Sequence, residues 1–300
     1  MHEAAITRAP TAAGVRPRPD GAGRRLLRGL RGNVAVLAAL SVVLLLAALA
    51  VAAPFLPIAN PNTIATSERL QWGRTSDHPL GTDEFGRDLL SRLIWGGRVS
   101  LLAGVGSMAG ALVAGTTLGL AAGFYGGRLD HWIMRGAEIL QAFPYILLAI
   151  ALVAALGPGL FHAMLAITIV GMPIYIRLIR GAVLAIREHD YVQAARAMGA
   201  RNRRIVGQHI LPNVLAPIIV TGTLDIGAKI VATSGLSFLG LGTQPPTADW
   251  GTMLANGQQF LSVAPHVATL PGLAVFVVVL SFNLVGDWLR DALDPRLRGA

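Results

Sequence analysis

Long runs of apolar residues without charge recur along the chain and set its predicted architecture. Each run is near the ~20 residues that a helix needs to cross a ~30 Å hydrocarbon core. Only Gly157, Pro158 and Gly159 separate the third run from the fourth, which is typical of a tight membrane hairpin. The pattern predicts an all-α polytopic membrane protein with six transmembrane helices and both termini on one side. The six runs are 34–53, 99–127, 139–156, 160–176, 214–241 and 267–286.

Composition agrees with this pattern. Charged residues make up 14% of the chain, against about 25% in soluble domains, and hydrophobic residues make up 53%. Such a chain cannot cover itself with a water-facing surface, so we expect membrane lipid around it. Cysteine is absent, which excludes disulfides and thiolate metal sites, and we predict no metal site. The arginines are not clustered with aromatic residues, so nucleic acid is not an expected partner.

The distribution of arginine predicts the orientation. Seven arginines lie in 1–33 and seven more in 177–204, whereas the loop 242–266 has none. Because basic residues favour cytoplasmic segments, both termini are predicted to be cytoplasmic. The segment 57–98 then lies outside by span parity, although it carries five arginines beside five acidic residues.

The loop 190–212 carries a helix signature. Asp190 is a candidate N-cap, Gln193 its capping-box partner and Gly199 a C-cap. A second short helix is predicted to start at an Asn202 cap and to end before Pro212, which breaks a helical pattern. Two short helices are therefore expected at the membrane surface.

The first of these helices has a predicted contact face. Tyr191, Ala195 and Met198 fall on one side at helical spacing. Four arginines nearby, at 196, 201, 203 and 204, would also suit a surface helix that lies on anionic lipid. From the residues alone, a face that contacts another protein and a helix that lies on lipid are equally good interpretations.

A motif in this loop favours a face that contacts another protein. The pattern Q-A-A-x-x-x-G at 193–199, followed by I-L-P at 210–212, resembles the E-A-A…G…I-L-P signature of bacterial ABC importer permeases. The resemblance implies that the loop is a coupling helix, which docks in a groove of an ATPase subunit. Gln193 stands where the signature has glutamate, so an ion pair from that position is lost while capping is kept. The implied coupling residues are Asp190, Tyr191, Gln193, Ala194, Ala195, Met198 and Gly199.

Other blocks narrow the resemblance. The segments 78–102, 236–254 and 282–299, with RRLL at 24–27, resemble the dipeptide, oligopeptide and nickel permease family, specifically its C-type subunit. The similarity covers roughly 24–299. It implies import of peptides by alternating access, with nickel or another small solute as the alternative. It also implies a bacterial cytoplasmic membrane location, a second homologous permease subunit, two ATP-binding subunits and an extracytoplasmic substrate-binding protein that meets the outer face.

The resulting organisation has five parts and no catalytic site. The chain lacks a G-x-x-x-x-G-K-[ST] loop, so no cofactor is assigned to it, and ATP and Mg are expected on the partner ATPase subunits. The predicted parts are a flexible basic cytoplasmic tail 1–33, a first transmembrane helix 34–56, an extracytoplasmic segment 57–98, a permease core 99–288 of five transmembrane helices with coupling loop 188–213, and a cytoplasmic tail 289–300.

Two charges interrupt the 214–241 run. Asp225 and Lys229 lie four apart and so share a helix face. A charge inside a span is costly unless it is paired or faces water. The residues are either a self-neutralising pair inside the bundle or part of the translocation pathway, where they would contact the charged ends of a peptide.

Packing and capping explain several other patterns. Glycines at four-residue spacing in the second span predict close helix contact in the subunit core. The acidic residues between His78 and Asp88 are interleaved with arginines, so we expect them to cap and neutralise the helix that enters the second span. Trp250 is expected at the membrane interface of the outer loop.

Two other classes of function remain. Gly235-Leu236-Ser237 fits the G-x-S pattern of intramembrane serine proteases, with His162 or His209 as a conceivable base. A secondary transporter would use Asp225 as an ion site and helices broken at Pro144 or Pro173.

Overall fold

The computed structural model describes residues 33–72 and 78–293. The predicted tail 1–33 therefore lies outside the described residues except for Asn33, as do the RRLL block and the end of the predicted tail 289–300. Most of the described part is helical, and the segments 56–72, 78–88 and 239–249 are mainly irregular. Its α-helices are α1 (Val34–Ala52), α2 (Leu89–Tyr125), α3 (Gly127–Gln141), α4 (Tyr145–Leu156), α5 (Leu160–Arg187), α6 (Asp190–Ala197), α7 (Asn202–Ile205), α8 (Leu211–Phe238), α9 (Trp250–Gly257) and α10 (His266–Leu293).

Five helical segments in the described residues are long and apolar enough to cross a membrane. The short helix α7 runs through a π-helical turn, Val206–Ile210, into α8, so these elements form one segment. The five segments are Val34–Phe55, Leu89–Tyr125, Leu160–Arg187, Asn202–Phe238 and His266–Leu293. The pair α3 and α4 supplies a sixth candidate, although it is bent by 94°.

The helix pair α2 and α5 forms the centre of the subunit, and glycines on α2 allow the contact. A Cβ atom added at Gly115 would lie 2.5 Å from the Cβ of Tyr175, and one at Gly123 would lie 2.7 Å from that of Val183. The two backbones therefore approach as closely as glycine permits. The predicted core packing of these glycines is confirmed. Because residue numbers rise together along the contact, α2 and α5 are parallel.

Helix α8 packs antiparallel to α2. Gly104 lies against Ile230, whereas Gly222 lies against Leu112, so residue numbers run in opposite directions along this contact. The bundle thus has two ends. We call the end with the loop 188–213 the loop end, and the end with 57–72 and 78–88 the cap end.

The bend between α3 and α4 corrects the expected third span. The run 139–156 does not form one helix, because α3 ends at Gln141 and α4 begins after Pro144. Helix α4 has 12 residues and is about 18 Å long, too short to cross alone. Since α2 and α5 are parallel, the chain between them must return from the loop end to the cap end. The bent pair makes that return, and six crossings result.

The cap end is held by a buried ionic cluster. Asp88 is the N-cap of α2 and accepts a 2.7 Å hydrogen bond from the backbone N–H of Ser91. Asp83 lies 2.6 Å from Arg87 and 3.2 Å from Arg92, and all three side chains are less than a tenth exposed. The expectation that these residues cap and neutralise the start of α2 is confirmed.

His78 lies between the carboxylates of Asp88 and Glu68 at the cap end. Its Nδ1 lies 3.1 Å from Asp88, and its Nε2 lies 3.0 Å from Glu68. Burial opposes protonation of the ring, but the hydrogen bonds and charges of the two carboxylates outweigh it and raise the pKa of His78 above its ordinary value.

Trp250 is buried rather than interfacial, so that expectation is wrong. The side chain is 1% exposed, and its indole N–H donates a 3.0 Å hydrogen bond to the carbonyl oxygen of Leu93. Gly97 leaves room for the ring, since an added Cβ there would lie 2.8 Å from it. The neighbouring Asp249 caps α9, and burial raises the pKa of its carboxyl even though Ser100 donates a hydrogen bond to it. The loop after α8 is thus folded back into the bundle.

Candidate functional site

The loop 188–213 begins with α6, but its N-terminus differs from the predicted capping box. Asp190 is the first helical residue, and the capping residue is His189, which gives the helix no side-chain hydrogen bond. Gln193 donates a 3.0 Å hydrogen bond to the carbonyl oxygen of Arg187 at the end of α5. The predicted capping box of Asp190 and Gln193 is therefore wrong. Gln193 connects the loop helix to the preceding helix instead.

Helix α6 ends at Ala197 with Met198 as its C-cap, so Gly199 terminates the helix but is not itself the predicted C-cap. Gly199 has a φ of +79°, and its N–H donates to the carbonyl oxygen of Arg196. The N–H of Ala200 donates to the carbonyl oxygen of Ala195, which completes a Schellman motif. Gly199 lies one position beyond the capping residue Met198, and glycine is the residue that adopts this conformation without strain.

The second loop helix does not end before Pro212, so the predicted end of that helix is wrong. Helix α7 continues through the π-helical turn into α8, and Pro212 lies in the first turn of α8. The loop end is therefore joined to the α8 span by helix without a break.

Only part of the predicted contact face of α6 is exposed. Met198 is 82% exposed and Tyr191 is 45% exposed, whereas Ala195 is 5% exposed. Ala195 and the fully buried Val192 face the bundle, where Val192 joins a cluster that contains Ile205. The placement of Ala195 on the outward face is wrong, since Val192 and Ala195 form the inward stripe. The outward surface of α6 comprises Asp190, Tyr191, Gln193, Ala194, Arg196 and Ala197, and Met198 follows the helix.

Side-chain contacts hold the loop against the bundle. The ring of Tyr191 stacks on His189 with centroids 5.7 Å apart and lies 6.1 Å from His209. The guanidinium of Arg196 lies over the ring of Phe124 at 5.7 Å, and Arg187 donates a hydrogen bond to the carbonyl oxygen of Gly123. The loop thus packs on the ends of α2 and α5.

Asp225 and Lys229 form a buried ion pair in α8. Lys229 Nζ lies 3.5 Å from Asp225 Oδ2, and the side chains are 2% and 14% exposed. The hydroxyl of Tyr175 donates a 2.8 Å hydrogen bond to Asp225, and Lys229 donates a 3.1 Å hydrogen bond to the hydroxyl of Tyr145. Gly171 makes space for the ammonium, because an added Cβ would lie 2.3 Å from it. The four polar groups satisfy one another at the junction of α4, α5 and α8.

Sequence analysis did not find the two tyrosines of this junction. In the chain, Tyr145 is 84 residues away from its partner Lys229. Tyr175 is 50 residues away from its partner Asp225. A polar hydroxyl within each apolar run was the available signal, since a buried hydroxyl needs a partner.

The serine and histidines of the protease alternative do not meet in the described part of the chain. Ser237 is buried and accepts a hydrogen bond from the N–H of Thr243. The ring of His162 bonds to the carbonyl oxygen of Gly157, and His209 lies beyond the opposite end of α8. Neither histidine is hydrogen-bonded to Ser237, so this geometry offers no activated nucleophile.

Known proteins resemble this chain over most of its length. A dipeptide transport system permease protein of Alkalihalophilus pseudofirmus is 46% identical over 275 residues, which cover 92% of this chain and 90% of the relative. A glutathione transport system permease protein of Pectobacterium atrosepticum is 46% identical over 271 residues, 90% of each. A probable D,D-dipeptide transport system permease protein of Escherichia coli is 42% identical, over 92% of this chain and 93% of the relative.

A solved structure shares the fold. The inward-facing MetNI methionine ABC transporter matches with a TM-score of 0.56 and 20% identity, over 69% of this chain and 98% of the transporter chain. The family description of the binding-protein-dependent transport system inner membrane component matches residues 115–299, which contain the loop 188–213 and the Asp225–Lys229 pair. The chain therefore belongs to the family of inner membrane components of binding-protein-dependent transport systems, and it is an ABC importer permease.

Proposed function

We propose that this permease carries peptides, dipeptides or oligopeptides, across the bacterial cytoplasmic membrane into the cell. The observation that carries the proposal is the identity of 42–46% to permeases named for dipeptide, glutathione and D,D-dipeptide transport. Dipeptides, D,D-dipeptides and glutathione are all short peptides, so a short peptide is the common substrate class. Both termini are proposed to be cytoplasmic, which makes the loop end cytoplasmic and the cap end extracytoplasmic.

The loop 188–213 is the proposed contact with an ATPase subunit. The outward surface of α6, with Tyr191 and Met198, offers exposed apolar area at the end of the bundle. The buried Val192 and Ala195 fix α6 to its own subunit, so a push on α6 moves the ends of α2 and α5 with it. In this proposal ATP and Mg bind to two partner ATPases, and closure of those subunits drives the loop.

Movement of the loop can reach the middle of the membrane through α8. Because α7, the π-helical turn and α8 are continuous helix, the displaced loop end carries α8 with it. Asp225 and Lys229 on α8 bond to α4 and α5 through tyrosines, so this junction must shift when α8 moves. Alternating access between this subunit and a second homologous permease is the proposed consequence.

Asp225 is the proposed contact to the translocation pathway. Its side chain is the more exposed member of the pair, whereas Lys229 is enclosed by Gly171 and Tyr145. A carboxylate at the pathway attracts the α-amino group of a peptide. Lys229 lies 3.5 Å from this carboxylate and pairs with it.

Uptake by the reconstituted complex tests the proposal. The chain is co-expressed with the permease, ATPase and binding-protein genes of its operon and placed in proteoliposomes that contain ATP. We expect the accumulation of labelled dipeptide to depend on ATP and on the binding protein, and unlabelled glutathione and oligopeptides measure the breadth of the site. Accumulation of nickel without any peptide uptake would overturn the substrate class. Uptake without the ATPase subunits would instead indicate a secondary transporter.

A further inference from the structure

An apolar groove of about 440 Å³ lies between α1, α2 and α10. Its walls include Val43, Ala47 and Val51 from α1, Val105 from α2, and Phe282 from α10. Helix α1 makes the groove because it packs loosely, with only 17% of its most apolar stretch buried. The groove is therefore open at the surface of this subunit, and none of its lining residues belongs to the loop 188–213 or to the Asp225–Lys229 junction.

The groove has a direction relative to the membrane. Its cap-end rim contains Val51 and Arg98, and its deep end contains Val43 and Val105. Seven residues of helix from Arg98 to Val105 span about 10 Å, roughly a third of a ~30 Å hydrocarbon core. The groove thus occupies the membrane leaflet at the cap end, which is the outer leaflet in the proposed orientation.

Arg98 is the one charged residue among the described residues that line the groove. It is exposed, it precedes the uncharged run 99–127, and the guanidinium lies 5.8 Å from the ring centroid of Trp95. No carboxylate among the described residues pairs with it, in contrast to Arg87 and Arg92 in the cap-end cluster. A fixed cation at the head of an apolar slot complements an anion that carries a hydrocarbon chain.

The charge of the groove favours a lipid as its occupant. An apolar slot with a single cation at its rim matches a molecule that has one anionic head and a hydrocarbon chain. A flexible acyl chain is thinner than a helix and can follow the groove.

We propose that this groove binds an anionic glycerophospholipid of the leaflet at the cap end. The phosphate contacts Arg98, and one acyl chain lies along Ala47 and Val105 toward Phe282. The lipid fills the space between α1 and the rest of the bundle. It thereby adds to the contacts of α1, the least buried of the five long apolar segments, with α2 and α10.

Photolabelling of the assembled importer tests this site. The complex is placed in vesicles of phosphatidylethanolamine and phosphatidylglycerol with a trace of phosphatidylglycerol that carries a diazirine on one acyl chain. After irradiation, mass spectrometry maps the labelled residues. We expect label on 43–51 of α1 and 101–105 of α2, and competition by unlabelled phosphatidylglycerol. A diacylglycerol probe with the same diazirine chain is expected to label these residues roughly fivefold less, because it lacks the phosphate.

Variants separate the phosphate contact from the apolar contact. Arg98→Gln should lower the label in the groove roughly fivefold, and Arg98→Lys should keep most of it. Ala47→Trp should block the groove, because Ala47 lines it and is open to the lipid side. Ala48→Trp is the matched control, since Ala48 is equally exposed on α1 but does not line the groove.

Two results would overturn the proposal. Label spread evenly around the subunit and insensitive to Arg98→Gln would mean that the lipid is only part of the general annulus. A cross-link from Ala47→Cys to the second permease, with no lipid label in the groove, would make this surface a subunit contact.

Discussion

Gln193 donates a hydrogen bond of 3.0 Å from its side-chain amide to the carbonyl oxygen of Arg187. This bond joins α6 to the last residue of α5, across the turn that starts the loop 188–213. A carboxylate cannot donate such a bond, so the glutamate of the related signature would have to act differently at this position. Glutamine here favours attachment of the loop helix to its own subunit over an ion pair with a partner.

Gln193→Glu should therefore loosen α6. The lost bond is exposed, so we expect a cost of at most about 1 kcal/mol, or roughly fivefold faster amide exchange over 190–197. Hydrogen exchange of the detergent-solubilised complex measures this, and uptake should be retained. Gln208→Glu is the control, because Gln208 accepts its bond from Arg204 and a carboxylate can accept it too. Unchanged exchange in Gln193→Glu would show that the bond does not hold the helix.

The exposed end of α6 gives a second prediction. Met198→Asp places a charge on a side chain that is 82% exposed, so the fold should survive while docking of an apolar surface is lost. We expect normal amounts of the chain in the membrane but loss of ATPase co-purification and of uptake. Gln208→Asp, at an exposed position of the same loop outside α6, should leave both intact.

Ala195→Asp provides the contrast to Met198→Asp. Ala195 is 5% exposed and packs toward the bundle, so a carboxylate there is buried without a partner. We expect less folded chain in the membrane, which separates a failure of folding from a failure of docking. If Met198→Asp kept full co-purification and uptake, α6 would not be the docking surface.

The sequence predicted the elements of this fold better than their faces and ends. Length without charge is enough to find a span, and glycine spacing is enough to predict that α2 lies close to another helix, but it does not identify α5 as that helix. The run 139–156 was predicted as one span because it contains no charge. A helix broken at Pro144 was considered only for a secondary transporter, since hydropathy alone does not register the break. The face of α6 was misassigned because the choice between Val192 and Tyr191 as the inward residue depends on the bundle beneath.

The sequence likewise predicted only part of the candidate site. The spacing of Asp225 and Lys229 predicts that they share a helix face, and they form an ion pair. The tyrosines that complete the pair come from α4 and α5, and the sequence of α8 carries no information about them. Contacts between residues 50 to 84 positions apart require the packing of the helices to be known.

Because α2 and α5 are in close contact, a larger side chain at Gly119 should destabilise the subunit. A side chain there would meet the carbonyl oxygen of Ile176 at 2.8 Å and the Cβ of Ile179 at 2.9 Å. Gly119→Val should destabilise the subunit by about 1–3 kcal/mol through overpacking. The midpoint of thermal aggregation in detergent measures this. Gly136→Val on α3 is the control, because nothing lies within 4 Å of its added Cβ, and a similar loss in both variants would contradict the packing argument.

The cap end should depend on pH through His78. The carboxylates of Asp88 and Glu68 raise the pKa of His78 in the folded chain above the unfolded value near 6.5. Its contribution to stability is thus fully present below about pH 6.5 and is lost as pH rises through the higher folded pKa. Unfolding temperatures between about pH 5.5 and about pH 8.5 measure this loss. His78→Gln should flatten the profile, whereas His131→Gln should not; an unchanged profile in His78→Gln would assign the dependence to another group.

Single and double substitutions of the buried ion pair separate its structural role from its transport role. Asp225→Asn or Lys229→Met alone leaves a charge without its partner inside the bundle, so each should lower stability by about 3–5 kcal/mol. The double variant has no unpaired charge, and we expect it to regain most of that stability and its level in the membrane. Uptake of dipeptide should nevertheless remain low, because the carboxylate proposed to face the pathway is absent. Normal uptake by the double variant would mean that Asp225 and Lys229 have only a structural role. Transport would then depend on other groups of the two permeases.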